Sequence, residues 1–322
     1  MKYYLMIACL FLITLGHAQS PNTKWGKPSQ TEWDLQAWGE APDAEAAVLY
    51  RTMDVAYKIT RQFSSYSDTN TELDMSTISN LGTNDNNFMS VTYENKLRIK
   101  VLKDSGAGYA NLDILYLNDA ADPRLIDELE RVKVTVYSKN EKGKVARRMV
   151  KSEKFGTKRI DDHYCALQVR VPDVKAGDII EYQYTITSTR VTFLYDCSFQ
   201  EEIPVLYAKC DMDIPGFLQF DMKVPIHPFI KSKVEQSVVR EAQSTGDMQA
   251  PRTYPSNHYI IEGHDILPKG LDLQRSDASV DAAKVNSAPG KVMKTIALIK
   301  SVPNATVSLI PTGKSHLMIN PE

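Results

Sequence analysis

An alternating stretch near the middle of the chain constrains the fold more than any other feature. Residues of one parity are apolar or aromatic and those of the other are polar; the first set is Ile180, Tyr182, Tyr184 and Ile186. A period of two places the two sets on opposite faces of a strand. Gly177 precedes the stretch in a polar segment typical of a turn. The stretch therefore predicts a half-buried β-strand.

Shorter segments of the same kind recur along the chain, with turn residues between them. The clearest pair, 132–136 and 145–150, is separated by the turn residues 140–143 and predicts a hairpin. Residues 31–34 could open a short helix. Many short strands with few helices predict a mainly β protein, folded as an antiparallel sandwich.

The first residues predict export. A positive charge at Lys2 is followed by an apolar run from Tyr3 to Leu15 and by the small residues around Ala18. This order is typical of a signal peptide, and the run is shorter than the ~20 residues that span a bilayer. We therefore expect an exported protein of the periplasm or cell envelope, with no membrane span after cleavage.

These features together predict four segments. We expect a signal peptide at 1–18 and a leader with a short helix at 19–42. A β-sandwich domain follows at 43–264, with a polar insertion at 61–90 that is rich in Ser, Thr, Asn and Asp. The C-terminal extension at 265–322 is polar, and the sequence leaves its degree of order open.

The charge balance argues against nucleic acid as a partner. The chain has 38 Lys and Arg against 40 Asp and Glu, a net charge of -2. Phosphate binding depends on clustered basic residues. We therefore expect a protein, polypeptide or glycan partner.

Three cysteines remain after the expected cleavage: Cys165, Cys197 and Cys210. An exported protein meets oxidising conditions. Cys197 and Cys210 flank a break at Pro204 and could pair across neighbouring strands, in which case a disulfide would stabilise the fold by roughly 3 kcal/mol. The alternative is two buried free thiols that behave as small apolar residues.

Several segments, in this order, resemble one known family. The resemblance covers roughly 43–225 and is to the domain of unknown function that precedes transglutaminase-like, papain-type cores in exported bacterial proteins. The segments that carry it are 43–50, with the sequence DAEAAVLY, 97–102, with LRIKVL, 171–182, with VPDVKAGDIIEY, and Phe199-Gln200 with Ile203-Pro204-Val205.

The resemblance implies an immunoglobulin-like β-sandwich without an assigned catalytic role. In longer relatives the chemistry belongs to a following domain with a Cys nucleophile, a His and an Asp. No cysteine lies beyond Lys231 in this sequence, so we expect that nucleophile to be absent here. The insertion at 61–90 is a second departure from the family.

Two clusters are candidates for chemistry. His163 and Cys165 could act as base and nucleophile, although neighbours on one strand imply neither a third group nor an oxyanion hole. A metal could bind around His264, yet paired ligands at the usual spacing of zinc sites are missing. The residues of this second set are His258, Glu262, His264 and Asp265.

Aromatic side chains and strand edges are candidates for binding. Aromatic residues on a sandwich face can bind sugars, and they can equally belong to the core. An edge strand can pair with a partner chain without any motif. The aromatic residues concerned are Trp25, Trp33, Trp38, Tyr182, Tyr184, Tyr195 and Tyr207.

The sequence thus predicts a non-enzymatic β-sandwich that binds an envelope protein or polypeptide segment, and it predicts no cofactor. One alternative is an accessory half of a transglutaminase-like cysteine protease with a separately encoded core. A second alternative is a carbohydrate-binding module.

Overall fold

The structure is a computed structural model. It describes residues 21, 23–60, 63, 88–122, 125–218, 220–223, 229–243, 250–269 and 306–311. The predicted signal peptide at 1–18 lies outside the described residues, as do most of the polar insertion and of the C-terminal extension.

An eight-stranded sheet forms the centre of the molecule, and strands are numbered in chain order. From one edge to the other its strands are β12 (Ile230–Arg240), β13 (Thr253–Ile266), β10 (Val205–Pro215), β1 (Ala46–Ile59), β2 (Met89–Val101), β8 (Ile179–Ser188), β4 (Glu128–Lys139) and β5 (Val145–Met149). The protein is mainly β, as the alternating segments predict.

The large sheet is mixed, so the prediction of an antiparallel arrangement is wrong for one pair of strands. β1 and β10 run parallel, with Val48 opposite Val205 and Asp54 opposite Asp211, whereas the other pairs in this sheet are antiparallel. Parallel neighbours need a long crossover connection, and here the chain from β2 to β9 supplies it. Alternation of apolar and polar residues shows which face of a strand is buried, and it is the same for parallel and antiparallel strands.

Two three-stranded sheets cover one face of the large sheet, which we call the inner face. Apolar side chains of all three sheets share one core, with Ile114, Val169 and Cys197 from the small sheets. The first small sheet contains β3 (Leu112–Leu117), β7 (Tyr164–Val169) and β6 (Phe155–Arg159), and the second contains β11 (Phe220–Lys223), β14 (Thr306–Pro311) and β9 (Cys197–Ser198).

The opposite, outer face of the large sheet is covered at one end by the N-terminal segment, residues 23–45. This segment contains the short helix α1 (Gln30–Asp34). Ser29 and Glu32 form a capping box that satisfies backbone donors at the start of the helix. Two 3₁₀ helices, Asp104–Ala110 and Ser152–Lys154, complete the regular structure described.

Several local predictions agree with the structure. The turn at 140–143 joins β4 to β5, and the alternating stretch from Ile180 to Ile186 forms β8. Two predicted boundaries differ. β2 begins at Met89, inside the expected insertion, and β13 ends at Ile266, beyond the expected domain end at 264. β14 lies within the C-terminal extension, and its pairing with β9 and β11 places that part of the extension in a sheet.

No helix among the described residues has the length and apolar character needed to cross a membrane.

Candidate functional site

A buried ion-pair network fixes the N-terminal segment to the outer face. The Arg98 guanidinium lies between two carboxylates, 2.8 Å from Glu32 Oε1 and 2.5 Å from Glu181 Oε1. Tyr50 and Tyr137 donate hydrogen bonds to the two oxygens of Glu181, at 2.7 and 2.9 Å. Arg98 and Glu181 are completely buried. Each charge therefore has partners that replace the water it lost.

Backbone groups of the N-terminal segment complete this network. Lys100 Nζ donates to the carbonyl oxygens of Glu32 and Trp33, at 2.9 and 2.6 Å. The backbone N–H of Gly26 donates to Glu181 Oε2 at 2.8 Å. Because side chains alternate along a strand, Arg98 and Lys100 both point to the outer face, where the N-terminal segment covers them.

Burial changes the acidity of the groups in the network. It lowers the pKa of Lys100 because the ammonium loses hydration. Burial, together with the neighbouring Glu181 carboxylate, raises the pKa of Tyr137 to about 12. Both tyrosines that touch Glu181 therefore remain protonated donors near neutral pH. The network is suited to holding the N-terminal segment in place.

The uncovered part of the outer face is polar and carries paired charges. Asp211 accepts hydrogen bonds from Lys209 at 2.7 Å and from His258 at 2.5 Å. Although burial opposes ionisation, these two bonds hold the pKa of Asp211 below its usual value. Asp54 lies opposite Asp211, and burial raises the pKa of Asp54. The charges on this surface are largely satisfied by one another.

The strand β12 forms an exposed edge of the large sheet. It pairs with β13 on one side, and none of the strands described pairs with its other side. Six consecutive residues, 231–236, are exposed. Val234 and Val238 expose 52% and 55% of their surface, high values for Val, and share one side of the strand. Lys231 and Lys233 lie on the other side.

The second edge of the large sheet, β5, differs from β12 in length. It has five residues against eleven. Arg148 next to its end donates a hydrogen bond to the carbonyl of Pro172 at 2.7 Å. A partner strand gains more main-chain hydrogen bonds from the longer edge, so β12 is the better candidate for strand addition.

Three of the four predicted metal ligands contact residues outside the predicted set. His258 contacts Asp211, and Glu262 accepts a hydrogen bond from Tyr207 at 2.8 Å. The ring of His264 packs on the same Tyr207, with centroids 4.9 Å apart. Across the described part of the chain, no group of three or more His, Cys, Asp or Glu is placed to hold a metal. The predicted set is His258, Glu262, His264 and Asp265.

The predicted reactive pair is separated by burial. The side chain of His163 is 64% exposed and its Nδ1 lies 2.6 Å from Asp119 Oδ2. Cys165 is 4% exposed and belongs to β7, opposite Tyr116 of β3. The imidazole thus points to solvent with a carboxylate partner, while the thiol is buried. The arrangement does not assemble a nucleophile with its base.

The other two cysteines lie next to each other. Cys197 and Cys210 are buried free thiols, and a hydrogen bond joins them. The sequence predicts that these cysteines face each other across neighbouring strands, whereas Cys197 and Cys210 lie in β9 and β10, which belong to different sheets. Formation of the disulfide stays a prediction.

The aromatic residues considered for sugar binding mostly contribute to packing. Trp33, Trp38, Tyr182 and Tyr207 are each at most 9% exposed. Tyr195 packs edge-on against Tyr93. Trp25 and Tyr184 are half-buried. These seven residues do not form an exposed aromatic platform.

Among the surface cavities formed by the described residues, two differ in size and lining. The larger, of about 430 Å³, is lined by 40–45, Tyr109, 202–204, Pro268 and Lys269. The smaller, of about 190 Å³, lies beside β9, and its lining includes Met53, Asn95, Tyr184 and Cys197. Neither contains a nucleophile paired with a base among its lining residues.

The buried network was not predicted from the sequence. Arg98 and Glu181 were assigned to strands, but their partner Glu32 lies in the leader, far away along the chain. A usable signal was present: Ser29 and Glu32 have the spacing of a capping box, and Arg98 and Lys100 occupy alternate positions between apolar residues of β2.

Comparison with known protein families identifies one domain. Residues 89–247 match the family model of DUF3857, described as a domain of unknown function with solved structure. The match begins at β2 and extends just past β12. No curated protein matches the chain.

Solved structures show distant similarity. One is a "putative protease" from Parabacteroides distasonis, with 12% identity and a TM-score of 0.41, covering 69% of this chain and 36% of that chain. Another is a mutant M1 zinc metallopeptidase from Deinococcus radiodurans, with 7% identity and a TM-score of 0.25, covering 69% and 44%. The present chain thus spans less than half of either protein. Similarity this low does not extend their activities to it.

Proposed function

We propose that this protein, whose residues 89–247 match the DUF3857 family model, is an exported, non-enzymatic interaction module of the bacterial cell envelope. Its sheets form an immunoglobulin-like sandwich in this proposal. The partner is an extended polypeptide segment that adds to the edge strand β12. The exposure of β12 carries the proposal, because this strand presents a long row of main-chain groups beside surface-exposed valines.

The side chains of β12 indicate which segment fits best. Val234 and Val238 lie on one side, so the partner would place apolar residues at alternate positions there. Lys231 and Lys233 on the other side favour acidic residues opposite them. Lys233 also forms an ion pair with Glu235, which orients it along the strand. The proposed ligand is thus an extended segment that alternates apolar and acidic residues.

A peptide-display experiment tests the proposal. We expect the wild-type protein to enrich alternating apolar and acidic segments, and hydrogen exchange of β12 amides to slow when such a peptide is added. The double variant Val234→Lys/Val238→Lys should bind at least about tenfold more weakly, since charges on an edge oppose strand addition. Val145→Lys on the edge strand β5 is the matched control and should bind like wild type.

Two results would contradict the proposal. One is enrichment of peptides that bind the β12 double variant as tightly as wild type. The other concerns the non-enzymatic part: hydrolysis of a peptide panel by the purified protein, abolished in Cys165→Ala, would show a cysteine-dependent enzyme. Such hydrolysis would support the protease alternative directly.

A further inference from the structure

The two adjacent thiols connect different sheets. Cys197 belongs to β9 of a small sheet, and Cys210 belongs to β10 in the middle of the large sheet. Both side chains are buried in the shared core. The hydrogen bond between the thiols, with burial as a second cause, raises the pKa of Cys210. Cys210 therefore keeps its proton, and its thiol lies within hydrogen-bond reach of the Cys197 thiol.

A cleft gives access to one side of this pair. The cavity of about 190 Å³ beside β9 is lined by Cys197 and by Met53. Met53 is the ladder partner of Cys210, so the second cysteine lies next to the floor of the same cleft. A water molecule in the liquid occupies about 30 Å³. The cleft therefore has room for a small solute.

We propose that Cys197 and Cys210 are a modification site for hydrogen peroxide, at which they form a reversible disulfide between the small and large sheets. This inference is independent of the proposed function.

The reaction balances with peroxide as the oxidant. The sulfur of Cys197 attacks one peroxide oxygen, an S–O bond forms as the O–O bond breaks, and the departing hydroxide takes the thiol proton of Cys197 and leaves as one water. The sulfur of Cys210 then attacks the Cys197 sulfenic acid, so that the S–S bond forms as the S–O bond breaks. The proton of Cys210 goes to the departing oxygen, which leaves as a second water. Two thiols are oxidised and one peroxide is reduced.

The same chain contains an internal control. Cys165 is also a buried free thiol, but it lies in β7 of the other small sheet and does not line the cleft. Burial alone would make the three thiols behave alike. Selective pairing of Cys197 with Cys210 requires their contact.

The test is peptide mass mapping of the full chain after peroxide treatment, with denaturing alkylation of the remaining thiols. We expect loss of alkylation at Cys197 and Cys210, full alkylation at Cys165, and one linked peptide pair that is lighter by two hydrogens. Dithiothreitol should restore both thiols. The oxidised protein should also unfold at a higher urea concentration than the reduced protein.

Two variants make the result specific. Cys210→Ser should form no linked pair and should accumulate Cys197 sulfenic acid, detected by dimedone. Cys165→Ser should behave like wild type. Full alkylation of Cys197 and Cys210 after peroxide would overturn the proposal. So would linkage of either one to Cys165, or dimedone labelling of Cys210→Ser at Cys165 alone.

Discussion

At the scale of single residues, Arg98 is a fully buried cation that joins two carboxylates. Its guanidinium contacts Glu32 and Glu181 and lies over the ring of Tyr50, 4.6 Å from the centroid. The geometry suits Arg better than Lys, because a planar fork can serve two carboxylates at once. Removal of this one cation would leave two carboxylates in the interior without their counter-charge.

We expect Arg98→Met to lower the free energy of unfolding by about 3–5 kcal/mol, the usual cost of breaking a buried pair. The matched control is Arg170→Met, which removes a 2.5 Å contact with Asp113 between two half-exposed side chains. Its cost should be about 0–1 kcal/mol. Urea unfolding of both variants gives the comparison. Equal, small effects would show that the buried carboxylates reach water when Arg98 is lost.

His163 gives a prediction about pH. Its hydrogen bond and charge contact with Asp119 raise its pKa above the 6.5 of an ordinary histidine. A raised folded-state pKa means that the contact stabilises the fold fully below about pH 6.5, and that this contribution disappears as the pH rises through the folded-state value. NMR titration of the imidazole should show the raised pKa in wild type. Asp119→Asn should lower it; an unchanged pKa would contradict the contact.

At the scale of elements, the 3₁₀ helix Asp104–Ala110 packs against the chain just before β1. A Cβ atom placed on Gly106 would lie 2.2 Å from the backbone oxygen of Glu45. Both Leu102 and Lys103 donate backbone hydrogen bonds to that same oxygen. The helix and the start of β1 are therefore positioned together, and no space remains for a side chain.

We expect Gly106→Ala to destabilise the protein by about 1–3 kcal/mol, because the backbone must shift to relieve the overlap. Gly108→Ala is the matched control: it lies in the same 3₁₀ helix and a Cβ there meets nothing within 4 Å. Thermal unfolding followed by circular dichroism measures both. A Gly106→Ala protein as stable as Gly108→Ala would mean that the helix is not fixed against Glu45.

Elements with local signals were predicted well from the sequence. The period of two identified β8, and the turn residues at 140–143 identified the β4–β5 hairpin. The parallel pairing of β1 with β10 could not be predicted, because side-chain alternation is the same for both strand directions. The partners of Arg98 and the contact between the small sheets and the inner face depend on residues distant in sequence. For the candidate site, the exposure of β12 depends on which strands pair with it, and side-chain alternation does not show this.

At the scale of the whole molecule, the large sheet combines distant parts of the chain. The strand β10 lies between β1 and β13, and neither of these two belongs to the segment matched by the family model. The sheet therefore extends beyond the matched residues 89–247 on both sides in sequence. In the middle of the sheet, β10 from inside that segment pairs with β1 from outside it.

We expect a protein cut to residues 89–247 to lose cooperative unfolding, because β10 would then lack both neighbours and expose its apolar side chains. The chain from residue 21 to 322 keeps all the described strands and should unfold in one transition. Urea unfolding by fluorescence and by circular dichroism tests this, since coincident curves indicate a single transition. A coincident, steep transition in the short protein would contradict the prediction.

The parallel contact between β1 and β10 also has a consequence for synthesis. Val48 is synthesised early, whereas its partner in β10, Val205, is synthesised only after the nine strands β1 to β9. Until then the main-chain donors and acceptors on that side of β1 are unpaired, and other extended chains can form hydrogen bonds with them. High contact order implies slow folding, on the order of milliseconds to seconds. Nascent chains of this protein therefore pass through a long interval in which a holdase that masks β1 would raise the yield of native molecules.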